Sequence, residues 1–189
     1  MPERIANKII LAEDVVQQNL VRRYLQRCGH ESRECRFVPL PARGSGGSGE
    51  KYVQDQYPQQ VQACRSALGR RATALLVVIV DADMETTQRR AAQLGNVLLA
   101  ASMHARGNDE PIVVLIPKRH VETWIRALLG NPADEMTDYT KAPYSMPTAT
   151  EIKEAAATLH EWTRPGVNPG PTSPASLTAS LPEWQKIRS

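Results

Sequence analysis

The run Ala74-Leu75-Leu76-Val77-Val78-Ile79-Val80 passes directly into Asp81-Ala82-Asp83. Seven apolar residues rich in β-branched types predict a strand buried on both faces, the state of a central strand in a parallel sheet. Acids at the carboxyl end of such a strand stand where open α/β sheets build their sites. Residues two apart point the same way while extended geometry lasts, so Asp81 and Asp83 are expected side by side. Two like charges held together raise each other's pKa unless a cation compensates them. A divalent metal answers that need. The plainer alternative is a helix N-cap followed by a solvated acid.

A second strand end adds a third acid. Ile9-Ile10-Leu11-Ala12 runs into Glu13-Asp14, and an amphipathic stretch follows. Val16, Leu20, Tyr24 and Leu25 fall near helical spacing, with Gln17, Gln18, Arg22, Arg23 and Arg27 on the other face and Gly29 as a stop. The first strand of a doubly wound sheet lies near its centre, which brings Glu13 towards Asp81 and Asp83. Hard oxygen ligands of this kind suit Mg2+ or Mn2+, which keep several waters and use few protein carboxylates.

Further along, residues 34–38 read as a short strand. Residues 44–49, Gly-Ser-Gly-Gly-Ser-Gly, read as a mobile linker or as a cradle for phosphates at the next helix. Glu50 and Lys51 follow the last glycine, so the Gly-Lys-Ser/Thr ending of a nucleotide loop is missing. Residues 50–68 predict a helix with a possible break at Pro58. Residues 85–106 predict a long helix with Ala91, Leu94, Val97, Leu98 and Ala101 as its apolar stripe. Residues 112–116 predict a buried strand after Pro111, residues 121–129 a helix stopped by Gly130, and residues 148–164 a helix capped by Thr150 with Ile152, Ala155, Ala156 and Leu159 inward. This alternation predicts an α/β domain over residues 1–164: an open parallel sheet with helices on both faces, with a mobile Gly/Ser loop at 43–50. Residues 165–189 read as a Pro/Ser-rich tail whose Leu181-Pro182-Glu183-Trp184 docks back on the domain.

Composition narrows the class without naming it. A chain of 189 residues with a formal charge of +3 suits one domain with extensions, and that charge does not itself argue for nucleic acid. No signal peptide is evident and the apolar run is far too short to cross a bilayer, so a cytoplasmic protein is expected. Cys28, Cys35 and Cys64 lack metal-ligand spacing and read as reduced thiols. His30, His104, His120 and His160 are scattered, which argues against zinc.

A strand ending in Glu13, a helix, and a later strand ending in Asp81-Ala82-Asp83 together resemble the TOPRIM domain of topoisomerases, primases and overcoming-lysogenization-defect (OLD) nucleases. Thr86, Thr87, Arg89 and Arg90 after the acids are similar to the OLD-type branch. So is the segment from Ile116 through Pro117-Lys118-Arg119-His120 to Val121-Glu122-Thr123-Trp124, where small TOPRIM proteins of bacterial defence loci carry an Ile-Glu-x-Trp. The resemblance covers about residues 7–130. It implies metal-dependent phosphodiester cleavage: Glu13, Asp81 and Asp83 holding one or two Mg2+ or Mn2+ ions, Glu122 completing a second position, and Lys118 or Arg119 supplying the cation for the transition state. Lys118 and Arg119 would meet nucleic acid, DNA or RNA; beyond the span of the resemblance, Tyr139 and Lys141 lie in a polar segment expected to border a substrate groove, with Lys141 as a further nucleic-acid contact. No tyrosine-nucleophile, primase zinc or ATPase segment is present, so the resemblance further implies a separately encoded ATPase partner and a phage-defence role. On the plain reading, Arg119, Glu122 and Arg126 form an ion-pair ladder at helical spacing and Trp124 is a core anchor.

Two rival classes remain. Residues 10–14, with Leu20, Leu25 and Gly29-His30, also resemble the opening of a phosphorylation receiver domain, in which Asp81 would accept a phosphoryl group and Glu13 and Asp14 would hold Mg2+. Against it, the spacing between acids is long, Asp83 has no role, and no Ser or Thr ends the strand at 112–116. The other rival is a catalytically idle TOPRIM fold serving as a binding module.

Overall fold

The structure, a computed structural model, describes residues 7–41, 48–170 and 172–188. Four strands form one parallel sheet: β1 (Lys8–Ala12), β2 (Cys35–Phe37), β3 (Leu75–Ile79) and β4 (Ile112–Leu115), in the order β2-β1-β3-β4. Its helices are α1 (Val15–Arg27), α2 (Gly49–Gly69), α3 (Thr87–Ala100), α4 (Val121–Leu128), α5 (Ala149–Trp162) and α6 (Ala175–Arg188). An open parallel sheet flanked by helices is therefore what these residues build.

The strand side chains alternate between two cores, as the period of two demands. Ile10, Ala12, Val77, Ile79, Val113 and Leu115 enter the core shared with α1, α4, α5 and α6. Ile9, Leu11, Leu76, Val78, Val80 and Ile112 enter the opposite core, where Val53, Tyr57 and Val61 of α2 meet Leu94 and Leu98 of α3. Both faces are covered, which is why β3 could read as an unbroken apolar run.

Several elements differ from the sequence expectation. The helix expected over 85–106 is only Thr87–Ala100, opened by Thr86, whose hydroxyl accepts from Arg89 N at 3.1 Å. It stops because Ser102 takes a left-handed φ of 57°. Ala91 and Ala101 of its expected stripe are exposed, and Arg90 is buried instead. At the start of α5 the cap is Thr148 rather than Thr150, closing a capping box with Glu151. α2 runs through Pro58 without a break. Residues 42–47, most of the glycine-serine run, lie outside the described residues, but Ser48 caps α2 by accepting from Lys51 N.

Residues 175–188, inside the stretch read as a tail, form α6. Leu177, Leu181, Trp184 and Ile187 enter the same core as α1, α4 and α5. Trp184 is fully buried, its ring 4.7 Å from that of Tyr24 and 6.5 Å from that of Trp124. The Tyr24 hydroxyl donates to the Trp184 carbonyl at 3.0 Å. α6 also covers the open edge of the sheet: Glu183 Oε2 accepts from Val114 N at 3.0 Å and from Arg106 Nη1 at 2.6 Å, while Arg106 donates to Ile112 O at 2.7 Å. An edge strand whose polar groups are taken by side chains no longer templates another strand. No helix among the described residues is long and apolar enough to cross a membrane.

Candidate functional site

β1 and β3 are neighbours, yet α1 carries the chain from β1 to one side and α3 carries it from β3 to the other. Such a switch point opens a crevice beyond the carboxyl ends of the strands. Ala12 and Ile79 are the last paired residues of the two strands, so Glu13 and Asp81 emerge together. Glu13 Oε2 accepts from Asp81 N at 2.5 Å and from Gln17 Nε2 at 3.2 Å. Gln17 Oε1 in turn accepts from Glu13 N at 2.9 Å. A buried glutamine one turn into α1 thus sets the glutamate's direction.

This arrangement is electrostatically unfavourable for two ionised acids. Burial pushes the Glu13 carboxyl up to about 8, and the Asp81 charge pushes the same way. Burial likewise raises Asp81 to about 7, opposed by a bond from His120 and reinforced by the charges of Asp14 and Glu122. Asp14 itself is the N-cap of α1, its Oδ1 accepting from Gln17 N at 2.8 Å. Asp81 Oδ1 is buried without any hydrogen-bond partner. A buried carboxylate oxygen left without a donor is costly.

Asp83 does not continue the strand. Its φ of 52° lies in the left-handed region, so the expected extended Asp-x-Asp geometry ends before it. Aspartate tolerates that region better than most residues. Arg119, at φ 72°, faces it, and Asp83 N donates to Arg119 O at 3.1 Å. Two left-handed residues joined across the mouth of a crevice are a local strain that the surrounding fold must hold.

His120, one of four histidines scattered along the sequence and not expected at the site, stands at the centre of the cluster. Its Nδ1 lies 3.4 Å from Asp81 Oδ2 and 3.6 Å from Asp83 Oδ1, and its Nε2 lies 3.6 Å from Asp138 Oδ1. The bond to Asp81 raises the imidazole's pKa above its usual value, with Asp138 and Asp83 adding. Asp138 is held well below the usual carboxylate range by the Thr140 hydroxyl and the Lys141 ammonium. The signal that could have found His120 was its place five residues beyond Leu115, the end of the strand beside β3. Asp138 sits in a loop with no local signature.

Behind the acids, Arg90 is 2 % exposed and braces the Asp81 turn. Its Nε donates to Asp81 O at 3.0 Å, its Nη1 pairs with Glu50, and its Nη2 lies 3.9 Å from Asp83 Oδ2. Gly49 presses on Glu13: a Cβ there would stand 3.0 Å from Glu13 Cβ. Only the end of the glycine run therefore has a described role, in packing.

The other expected cations are spread along the rim. Lys118 Nζ is turned to the Glu85 carbonyl, and its backbone N donates to Ser176 Oγ at 3.1 Å. The structure therefore does not bring Lys118 to the carboxylates. Arg119 Nη2 lies 3.8 Å from Asp138 Oδ2, and the exposed Lys141 Nζ lies 3.0 Å from the same oxygen. Glu122 is 6 % exposed. Among the described residues no lysine or arginine lies within ion-pair distance of it, so the expected ladder with Arg119 and Arg126 is absent. Burial raises its carboxyl, with the charges of Asp14 and Asp138 adding and His120 opposing. Trp124 is fully buried and donates Nε1 to Ser176 Oγ at 2.8 Å, a core anchor.

Among the described residues no three His, Cys, Asp or Glu side chains already close on a common point as a metal site. His120 stands between Asp81 and Asp83 instead. The donor chemistry nonetheless fits a hard divalent cation: carboxylate oxygens from Glu13, Asp81 and Asp83, one of them buried and unpartnered. No family model, no curated protein and no solved structure matches the chain.

Proposed function

We propose that this chain is a Mg2+- or Mn2+-dependent nuclease of the TOPRIM type. The observation that carries the reading is the pairing of Glu13 with Asp81 at the switch point, two acids pushed up to about 8 and about 7 around an unpartnered buried oxygen. Groups so perturbed in a crevice are candidates for a functional site. Glu13, Asp81 and Asp83 would hold the ion, and Glu122 would serve a second position. A bound divalent cation there would supply an activated water and neutralise charge on the phosphate.

The chain's own residues then divide the remaining work. Gln17 and Arg90 fix the Glu13 carboxylate and the Asp81 backbone. His120 is the cation nearest the acids and the group placed to donate a proton to a leaving oxygen. Arg119 and Lys141, beside Asp138, are the cations placed to meet flanking phosphates. Lys118 reaches that position only on releasing the Glu85 carbonyl. A separately encoded ATPase partner and a phage-defence role belong to the same proposal and rest on the resemblance; a cytoplasmic setting, proposed with them, rests on the cysteines read as reduced thiols. The test is incubation of the purified chain with supercoiled plasmid and with total RNA, with and without Mg2+ or Mn2+. Metal-dependent cleavage abolished by Asp81→Ala, with the fold retained, is the expected result.

One observation favours a second reading. The strand order β2-β1-β3-β4 is also that of the first four strands of receiver-type sheets, and the Asp14 charge reaches Asp81. On that reading Asp81 accepts phosphoryl. Ile116-Pro117-Lys118 following β4 offers no hydroxyl, and α6 occupies the edge where a fifth strand would pair. Acetyl phosphate with Mg2+ separates the two: one added phosphoryl group on Asp81 would replace the nuclease proposal with the receiver.

A further inference from the structure

A cavity of about 270 Å³ opens directly beside the acid cluster, between α4, the loop after it and the start of α5. Glu122 belongs to both: it lines the cavity, and its carboxyl feels Asp14, His120 and Asp138 on the other side. Tyr139 and Tyr144 form the aromatic part of the wall, their rings 4.7 Å apart and edge to face at 66°. Arg126 is held over both, 5.1 Å from the Tyr139 centroid and 5.2 Å from that of Tyr144. Its Nε is tied to the Pro132 carbonyl at 2.7 Å. Tyr139 is anchored, since its hydroxyl accepts from Asp134 N at 3.0 Å, whereas Tyr144 stays 38 % exposed. Asn131 and Ser145 add an amide and a hydroxyl to the lining.

We infer that this cavity receives an unpaired base of a single-stranded nucleic acid, the base next to the phosphate that the acid cluster addresses. The inference rests on the nuclease reading for that phosphate and adds the substrate class. A flat heteroaromatic ring fits a slot walled by the Tyr139–Tyr144 pair, with the Arg126 guanidinium over both rings, an amide and a hydroxyl in the lining, and Tyr144 left 38 % exposed. Stacking on aromatic side chains is available to every base because each has a π-face. A base inside a duplex has both faces covered and cannot enter without being flipped out. Tyr139 follows Asp138 directly, and Asp138 bonds the rim cations Arg119 and Lys141. A strand whose backbone follows those cations therefore passes the mouth of the slot.

The test is binding, measured in calcium buffer by fluorescence anisotropy on the full chain, so that it does not depend on turnover. The probes are a labelled oligothymidine, its duplex with oligoadenosine, the same strand built with abasic sites, and free thymidine monophosphate as competitor. The single strand should bind about tenfold more tightly than the duplex, and Tyr144→Ala should cost about tenfold on the single strand alone. Tyr144→Trp should restore it, and the abasic strand should bind wild type no better than it binds Tyr144→Ala. An unchanged melting temperature for Tyr144→Ala keeps the comparison clean, and is expected because Tyr144 is one of the exposed residues of the wall. Equal binding by wild type and Tyr144→Ala, preference for duplex, or competition by the monophosphate at the strand's own affinity would each overturn the inference. Cleavage of plasmid or RNA is read in a separate assay, so loss of the nuclease reading would be seen independently.

Discussion

Glu13 is a carboxylic acid whose proton the fold prefers to keep. Its pKa of about 8, and that of Asp81 near 7, stand above the ordinary 4.5 and 3.8. Between about pH 4 and pH 8 the unfolded chain has lost these protons while the folded chain retains them, so stability falls as pH rises and levels off above about pH 8. The melting temperature of metal-free protein should therefore drop by several degrees from about pH 5 to about pH 8. Adding Mg2+ or Mn2+ should recover it, and Glu13→Gln should flatten the slope. A profile that is level or rises with pH in the metal-free protein would contradict the crowding of the two acids. His120 supports a second expectation. Its imidazole touches Asp81 and Asp83, whereas Lys118 is spent on the Glu85 carbonyl. In the cleavage assay His120→Ala should lose about a hundredfold in rate, and Lys118→Ala far less. Mn2+ affinity, followed through the melting temperature, should be undiminished in His120→Ala because the imidazole no longer competes for the carboxylates. A larger loss for Lys118→Ala than for His120→Ala would reverse these assignments.

The start of α2 shows how an element serves a site at one position. Replacing a helical glycine by alanine ordinarily stabilises by up to about 1 kcal/mol. At Gly49 the new methyl would meet Glu13 Cβ at 3.0 Å and Glu13 O at 3.2 Å, contacts too close to keep. Gly49→Ala should therefore forgo that gain, end roughly 1 kcal/mol below wild type in urea denaturation, and weaken divalent-ion binding as Glu13 shifts. A stabilised variant with unchanged ion affinity would show that Glu13 has room to move. α3 shows the reverse traffic, since Arg90 is buried where Ala91 was expected to be, and it spends that burial on the Asp81 turn. Local sequence read the strands well: β1 and β3 announce themselves by apolar runs ending in acid. It overran α3, because the stop at Ser102 is a backbone conformation that no proline or glycine marks.

Two cores sandwich the sheet, and the larger one depends on the last helix of the chain. Trp184 lies against Tyr24 from α1 and Trp124 from α4, partners far away in sequence. Trp184→Ala should cost about 3–5 kcal/mol by chemical denaturation. Trp184→Phe should cost much less, because Trp184 Nε1 is buried without a partner and its loss forfeits no hydrogen bond. Equal losses for the two variants would mean that the indole nitrogen is satisfied in solution. Edge protection by Glu183 and Arg106 depends on the same docking, so a destabilised α6 should also promote self-association through β4.

Patterns that repeat along the chain are legible in the sequence itself: the period of two and the unbroken apolar runs of β1 and β3, the acids at their ends, the amphipathic stripe of α1, and the alternation that makes a parallel α/β sheet. Each arises from interactions between residues close in sequence, or from burial that every residue of a run shares. The adjacency of β1 and β3 was an expectation that needed the sheet order to become a distance. His120 between two aspartates, Asp138 behind it, Glu122 without an arginine, Arg90 under the Asp81 turn and α6 over the β4 edge came only from the tertiary structure. For His120 and α6 the partner is set by where two remote segments cross, and a side chain's composition or neighbours in sequence carry no record of that crossing.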